Sequence, residues 1–159
     1  MPLFGRKLSA DQERVLTEFN SAMLSVNERC QEAFDELWAT IEELYWPCRD
    51  SLLHGTPLAN ADSRVATARE AVTSYRDVLR SAHRSLEARA PEDWYPRKSR
   101  KRYEVISKTV GELGAMADMV QESLEPPALV PELGKHKLNM FVSGVNVLWD
   151  SWMRQRPMA

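Results

Sequence analysis

Nine apolar residues, Leu16, Phe19, Met23, Val26, Cys30, Phe34, Leu37, Ile41 and Leu44, recur along one stretch at spacings of 3, 4, 3, 4, 4, 3, 4 and 3. An α-helix has 3.6 residues per turn, so this alternation draws a single stripe down one long helix, and the stripe must be buried. Ser9 followed by Gln12 forms a capping-box pattern ahead of it, Asp11 suits the positive end of the helix dipole, and Pro47 should end or kink the helix near Trp46. The first helix is therefore predicted over 9–46, about 55 Å at 1.5 Å per residue.

Three more stripes follow. Val65, Ala68, Val72, Tyr75, Leu79, Ala82 and Leu86 alternate by 3 and 4 without a slip, as do Tyr103, Ile106, Val110, Leu113, Ala117, Val120 and Leu124. Leu138, Phe141, Val145, Leu148 and Trp152 make a shorter fourth stripe. Asn60 or Asp62 can cap the second helix, Pro91 stops it, and Pro126-Pro127 stops the third, giving helices over about 61–89, 97–125 and 131–154. No segment alternates with the period of two that a half-buried strand needs. The predicted fold is all-α: one domain over residues 1–159, an antiparallel four-helix bundle running up-down-up-down with near-20° crossings and a long first helix. One end of that helix should project, or be covered by the 47 to 60 connection, by a partner or by a second copy.

Small residues gather on helix three at Gly111, Gly114, Ala115 and Ala117, and on helix four at Ser143 and Gly144. Glycine inside a helix costs about 1 kcal/mol relative to alanine, and close approach of these two helices would compensate.

The 159 residues, 43% hydrophobic and 28% charged, suit a folded chain rather than a disordered one. The longest uncharged stretch, Asn139 to Leu148, falls short of the roughly 20 residues a membrane span requires. The start, with Leu3-Phe4 followed at once by Arg6-Lys7, lacks the apolar core of a secretory signal, so a cytoplasmic location is expected. Cys30 and Cys48 lie 18 residues apart on one predicted helix, about 27 Å, too far for a disulfide, and Cys30 falls on the buried stripe.

Catalytic and cofactor constellations are missing. His54, His83 and His136 stand singly, so neither a His-Glu-x-x-His zinc site nor the Glu-x-x-His repeats of di-iron bundles can form. No glycine-rich phosphate loop occurs. Glu28, Glu32, Asp35, Glu36, Glu42 and Glu43 lie off the stripe of helix one, as a solvated face does. Cys48 with His54 or His83 would supply a nucleophile and a base, but nothing in the sequence brings them together. No enzyme activity, metal, cofactor or small-molecule substrate is expected.

One asymmetry points to a partner. After Trp94-Tyr95-Pro96 the chain reads Arg97, Lys98, Ser99, Arg100, Lys101, Arg102, placing five cations where the helix dipole is already positive. In an up-down-up-down bundle, residues 1–16, 77–104 and 147–159 share one pole, with 13 cations and 8 anions, while the remainder holds 8 cations and 15 anions. Arg89, Arg154 and Arg156 join that pole, as do the rings of Phe4, Trp94, Tyr95, Tyr103, Trp149 and Trp152. Cations among aromatic rings suit an anionic partner. The alternative for this run is a solvated loop paired with Glu92 and Asp93, the two tryptophans filling the end of the core. The leading functional expectation is a non-enzymatic protein-protein interaction or scaffold module, with self-association among its options. The second is a polyanion-binding module that grips nucleic acid or an anionic membrane surface.

Overall fold

The computed structural model describes residues 7–125 and 135–155. Four helices make up the fold: α1 (Ala10–His54), α2 (Ala61–Glu87), α3 (Arg97–Ser123) and α4 (Lys135–Gln155). No strand occurs among the described residues, and no helix among them is long and apolar enough to cross a membrane. The region of Pro131, where the fourth helix was expected to start, lies outside the described residues.

The capping box forms as the sequence implies. The Ser9 hydroxyl accepts from the Gln12 backbone N–H at 3.1 Å, and the Gln12 side-chain Oε1 accepts from the Ser9 backbone N–H at 3.0 Å. The other end of α1 departs from expectation, because the helix runs through Pro47 to His54. An interior proline forfeits one backbone hydrogen bond and crowds the preceding turn, about 3 kcal/mol. Here the residues beyond it carry the stripe onward: Cys48 and Ser51 are buried and Leu52 packs against the core, so that burial offsets the proline. The actual stop is Gly55 in the left-handed conformation at φ 70°, its N–H bonded to the Ser51 carbonyl at 2.9 Å. At the start of α2, Asn60 stands at the cap with φ 54°, tolerating a left-handed turn while its side chain makes no capping bond.

The stripes meet in one core. Phe34 lies at its centre, edge-on to Tyr75 of α2 at 6.1 Å and stacked on Trp152 of α4 at 4.8 Å. Further along, Trp38 meets Trp149 at 4.6 Å, and the Tyr45 hydroxyl donates to the Asn146 side-chain oxygen. Between α2 and α3 the partners are Arg69 with the Leu124 carbonyl, Arg76 with Asp118 at 2.7 Å, and the Leu86 carbonyl with the Tyr103 hydroxyl at 2.9 Å. Lys137 of α4 donates to the Glu125 carbonyl just past α3. Two cations from other helices thus satisfy orphan carbonyls at the C-terminal end of α3, whose own last turn has no basic residue.

The glycines divide in a way the sequence does not reveal. A Cβ on Gly144 would come within 2.9 Å of Val120 Cγ2 and 3.2 Å of Met119 Cε, so α4 approaches α3 closely at that point. Gly111 and Gly114 face open space instead, along a groove of about 460 Å³ between α2 and α3, and take no part in the α3 to α4 approach. Val120 is fully buried and β-branched, hence unable to move aside. Gly111→Ala and Gly114→Ala should each raise stability by about 0.5 to 1 kcal/mol. Gly144→Ala should lower it by about 1 to 3 kcal/mol despite alanine's better helix propensity, all three read by urea denaturation.

Candidate functional site

The basic run begins α3 because the turn before it is anchored. Tyr95 is only 8% exposed, lies edge-on to Phe19 of α1 at 4.9 Å, and its backbone N–H bonds to the Glu92 carbonyl at 3.0 Å. Burial, with the Glu92 carboxylate second, pushes the Tyr95 hydroxyl pKa upward. Trp94 packs on Tyr95 at 4.6 Å and donates its ring N–H to the Glu92 carboxylate. Pro96 at the cap position then sets the extended backbone from which the helix departs. Ser99, buried, donates to Asn20 of α1 at 3.2 Å and fixes the rotation of the first turn.

That anchoring turns Arg97, Lys98, Arg100 and Lys101 outward, with Arg102 half-buried. Arg100 donates to the Tyr95 carbonyl at 3.1 Å. Among the described residues, no carboxylate lies within ion-pair distance of Arg97, Lys98, Lys101 or Arg102, so Glu92 and Asp93 do not neutralise the run. Arg89 and Arg154 are exposed, and Arg156 lies outside the described residues. Of the rings expected beside these cations, Phe4 lies outside the described residues and the others face inward. Trp94 and Tyr95 hold the turn, Tyr103 ties α3 to the end of α2, and Trp149 and Trp152 pack on Phe34 and Trp38 midway along α1.

The cations instead border an apolar groove of about 370 Å³ between α1 and α3. From α1 come Met23, Leu24, Asn27, Cys30 and Gln31; from α3 come Val105, Ile106, Thr109, Val110 and Leu113. Lys98, Lys101 and Arg102 stand at one end, and Trp152, the one α4 residue lining it among the described residues, at the other. Leu24 is 47% exposed there, and the buried side-chain nitrogen of Gln31 has no hydrogen-bond partner among the described residues. The groove lies along α1 and α3 past Trp152, the last described buried residue of α4. The stripe positions Met23, Ile106 and Val110 are buried on its floor, as the sequence implies; what the stripes do not reveal is the rim beside them, where Leu24 is exposed and Val105 half-buried.

Elsewhere the titratable groups are dispersed. Glu28, Glu32, Asp35, Glu36 and Glu43 are exposed and Glu42 half-buried, accepting from the Trp46 ring N–H at 3.2 Å. Among the described residues, no three His, Cys, Asp or Glu side chains gather as a metal ion would require. His54 is exposed beyond buried Cys48, and His83 pairs with Glu87 at 3.0 Å on the surface of α2. Comparison with known protein families, curated proteins and solved structures finds no match to this chain.

Both cysteines are free and buried. Desolvation raises the Cys30 thiol to about 11 and the Cys48 thiol to about 12, with Arg29 and Arg64 respectively opposing the rise. A thiol with a raised folded-state pKa favours the folded state below its ordinary value of 9.0, and that preference is lost as pH climbs through the folded value. Stability should therefore fall above pH 9 by about 1.4 kcal/mol per pH unit for each thiol. The Cys30→Ala/Cys48→Ala variant should lack that part of the slope in urea titrations, and both wild-type thiols should resist a disulfide reagent at pH 8 until the protein unfolds.

Proposed function

We propose that the chain is a non-enzymatic, cytoplasmic protein-interaction module: a single up-down-up-down antiparallel bundle that holds a protein partner along the groove between α1 and α3. The antiparallel order is supported by contact pairs that run in opposite directions. Phe34 pairs with Trp152 and Tyr45 with Asn146, Arg69 with Leu124 and Leu86 with Tyr103, and Lys137 bonds at Glu125 while Gly144 abuts Val120.

The interaction reading rests on one observation: three cations without a carboxylate border an apolar groove that no described helix fills. Leaving apolar walls wet forgoes stabilisation of about 25 cal/mol per Å². Cations at a helix N-terminus cost about 0.3 to 1 kcal/mol each at the surface. Both costs fall away when a partner with an apolar face and acidic flank covers the groove. Binding of nucleic acid by ring stacking finds less support, since the rings near the basic run are packed against α1 and α2.

The test is capture from a lysate of the cells that make the protein, with and without nuclease, for wild type and for Lys98→Glu/Lys101→Glu/Arg102→Glu. A protein partner that survives nuclease and is held at least tenfold less by the variant is the expected result. Capture that vanishes on nuclease treatment would turn the basic run into a polyanion site, and saturable turnover of a small substrate would overturn the non-enzymatic reading.

A further inference from the structure

We infer that the α1/α3 groove seats an amphipathic helix of a partner protein, its apolar face between Leu24 and Val105 and its acidic residues over Lys98, Lys101 and Arg102. The inference rests on the interaction-module reading and gives that partner a chemistry. Four observations carry it.

The walls are two helices: the stripe residues Met23, Cys30, Ile106, Val110 and Leu113 form a buried floor, and along the rim the exposed or half-buried Leu24, Asn27 and Gln31 of α1 and Lys98, Lys101, Val105 and Thr109 of α3 repeat at spacings of 3 and 4. On α3 the lining runs from Lys98 to Leu113, about 22 Å, the length of a helix of about 15 residues. Ridges on paired helices leave a channel shaped for a third helix, whose side chains at i, i+3 or i+4 and i+7 enter it. The seat also lies in line with α4, because Trp152 closes the groove where α4 leaves it.

Charge selects the occupant. Lys98, Lys101 and Arg102 lack carboxylate partners among the described residues, and the positive end of the α3 dipole adds to them. Their aliphatic stems can lie along the apolar wall while the heads meet carboxylates, whereas a basic helix would be repelled. The buried side-chain nitrogen of Gln31 has no hydrogen-bond partner among the described residues, and rotation of the Gln31 side chain toward the groove would offer a donor to an oxygen of the incoming chain.

A second copy of this chain does not meet the requirement. All four described helices have turned their apolar stripes into their own core, and the acidic face of α1 from Glu28 to Glu43 carries no apolar stripe. Outside the groove the exposed large apolar side chains are Trp46, Leu53, Val147 and Met153. A fatty acyl chain would satisfy the cations through its carboxylate, but the half-exposed Leu24 marks a channel open along its side, which would leave a single acyl chain partly wet.

A displayed library of random 16-residue peptides, selected against the full chain, tests this directly. Enriched peptides should carry apolar residues at 3 and 4 spacing with Asp or Glu toward one end. Their affinity should fall at least tenfold for Lys98→Glu/Lys101→Glu/Arg102→Glu and about fivefold or more for Leu24→Ser. Both sites are exposed enough for the variants to keep the wild-type circular dichroism spectrum. Enrichment of peptides without that pattern, or binding indifferent to both variants, overturns the inference. So does palmitate or an oligothymidylate displacing the selected peptides by direct competition for the groove while a Lys-flanked peptide binds equally well, or a doubled mass in light scattering that is lost with Leu24→Ser. If the library yields nothing yet a lysate partner is held and is released by Leu24→Ser, the helical chemistry is wrong and the module reading stands. If neither binds, both fall together.

Discussion

A helix of 45 residues imposes its length on everything packed against it. Its apolar stripe has buried positions from Phe19 to Ser51, and the other helices offer 27, 27 and 21 residues to cover it. Helices pack side by side at distances set by their side chains, so coverage is a matter of length along the axis. The end near Tyr45 is met by α4, whereas the end near Met23 is met by α3 and the turn around Tyr95, with Trp152 the one described α4 residue lining the groove. The groove is the remainder of that mismatch. It is formed by well-packed helices, with Met23 and Cys30 buried on its floor and Leu24 left at its lip.

Electrostatics on α3 follows from the same arrangement. Its first turn carries cations and no acid, the reverse of what the dipole favours, and its last turn carries no base. The second deficit is made good from outside by Arg69 and Lys137, which reach the carbonyls of Leu124 and Glu125. The first is left standing. Tyr95 and Ser99 hold the N-terminal turn against α1 with buried contacts, so the helix begins at Arg97 despite its charges. Packing sets where the helix starts, and the unpaired cations are presented rather than tolerated by disorder.

The stripes, the capping box and the all-helical class could be read from spacing alone, because a 3-and-4 alternation sustained over five to nine positions admits no other regular structure. What could not be read depends on distances between helices. Pro47 carries a local stop signal, and whether the helix obeys depends on what Cys48 and Ser51 touch beyond it. Gly111, Gly114 and Gly144 look alike in the sequence, yet a Cβ at Gly144 would strike Val120 while the other two face a channel. The aromatic residues of the basic pole were the least legible. Tryptophan and tyrosine serve a core end and a binding surface equally well, and only the ring contacts of Tyr95 with Phe19 and of Trp152 with Phe34 separate those roles. The basic run itself was visible, but its neighbour, the open stretch of groove, required knowing where α4 ends.

The position of the cations also bears on why an apolar channel can stay open in solution. Exposed apolar strips on helices pair readily with copies of themselves, which is how bundles dimerise. Two copies brought groove to groove in parallel would each present Lys98, Lys101 and Arg102, which have no carboxylate partner within one chain among the described residues. Like charges held together at a partly desolvated interface repel strongly enough to discriminate between partners, while an acidic helix meets attraction at the same place. On the proposed reading, one set of three side chains would oppose self-pairing and favour an acidic occupant. On that reading, the helix-dipole cost of placing them at the start of α3 would be the stability given up for selectivity.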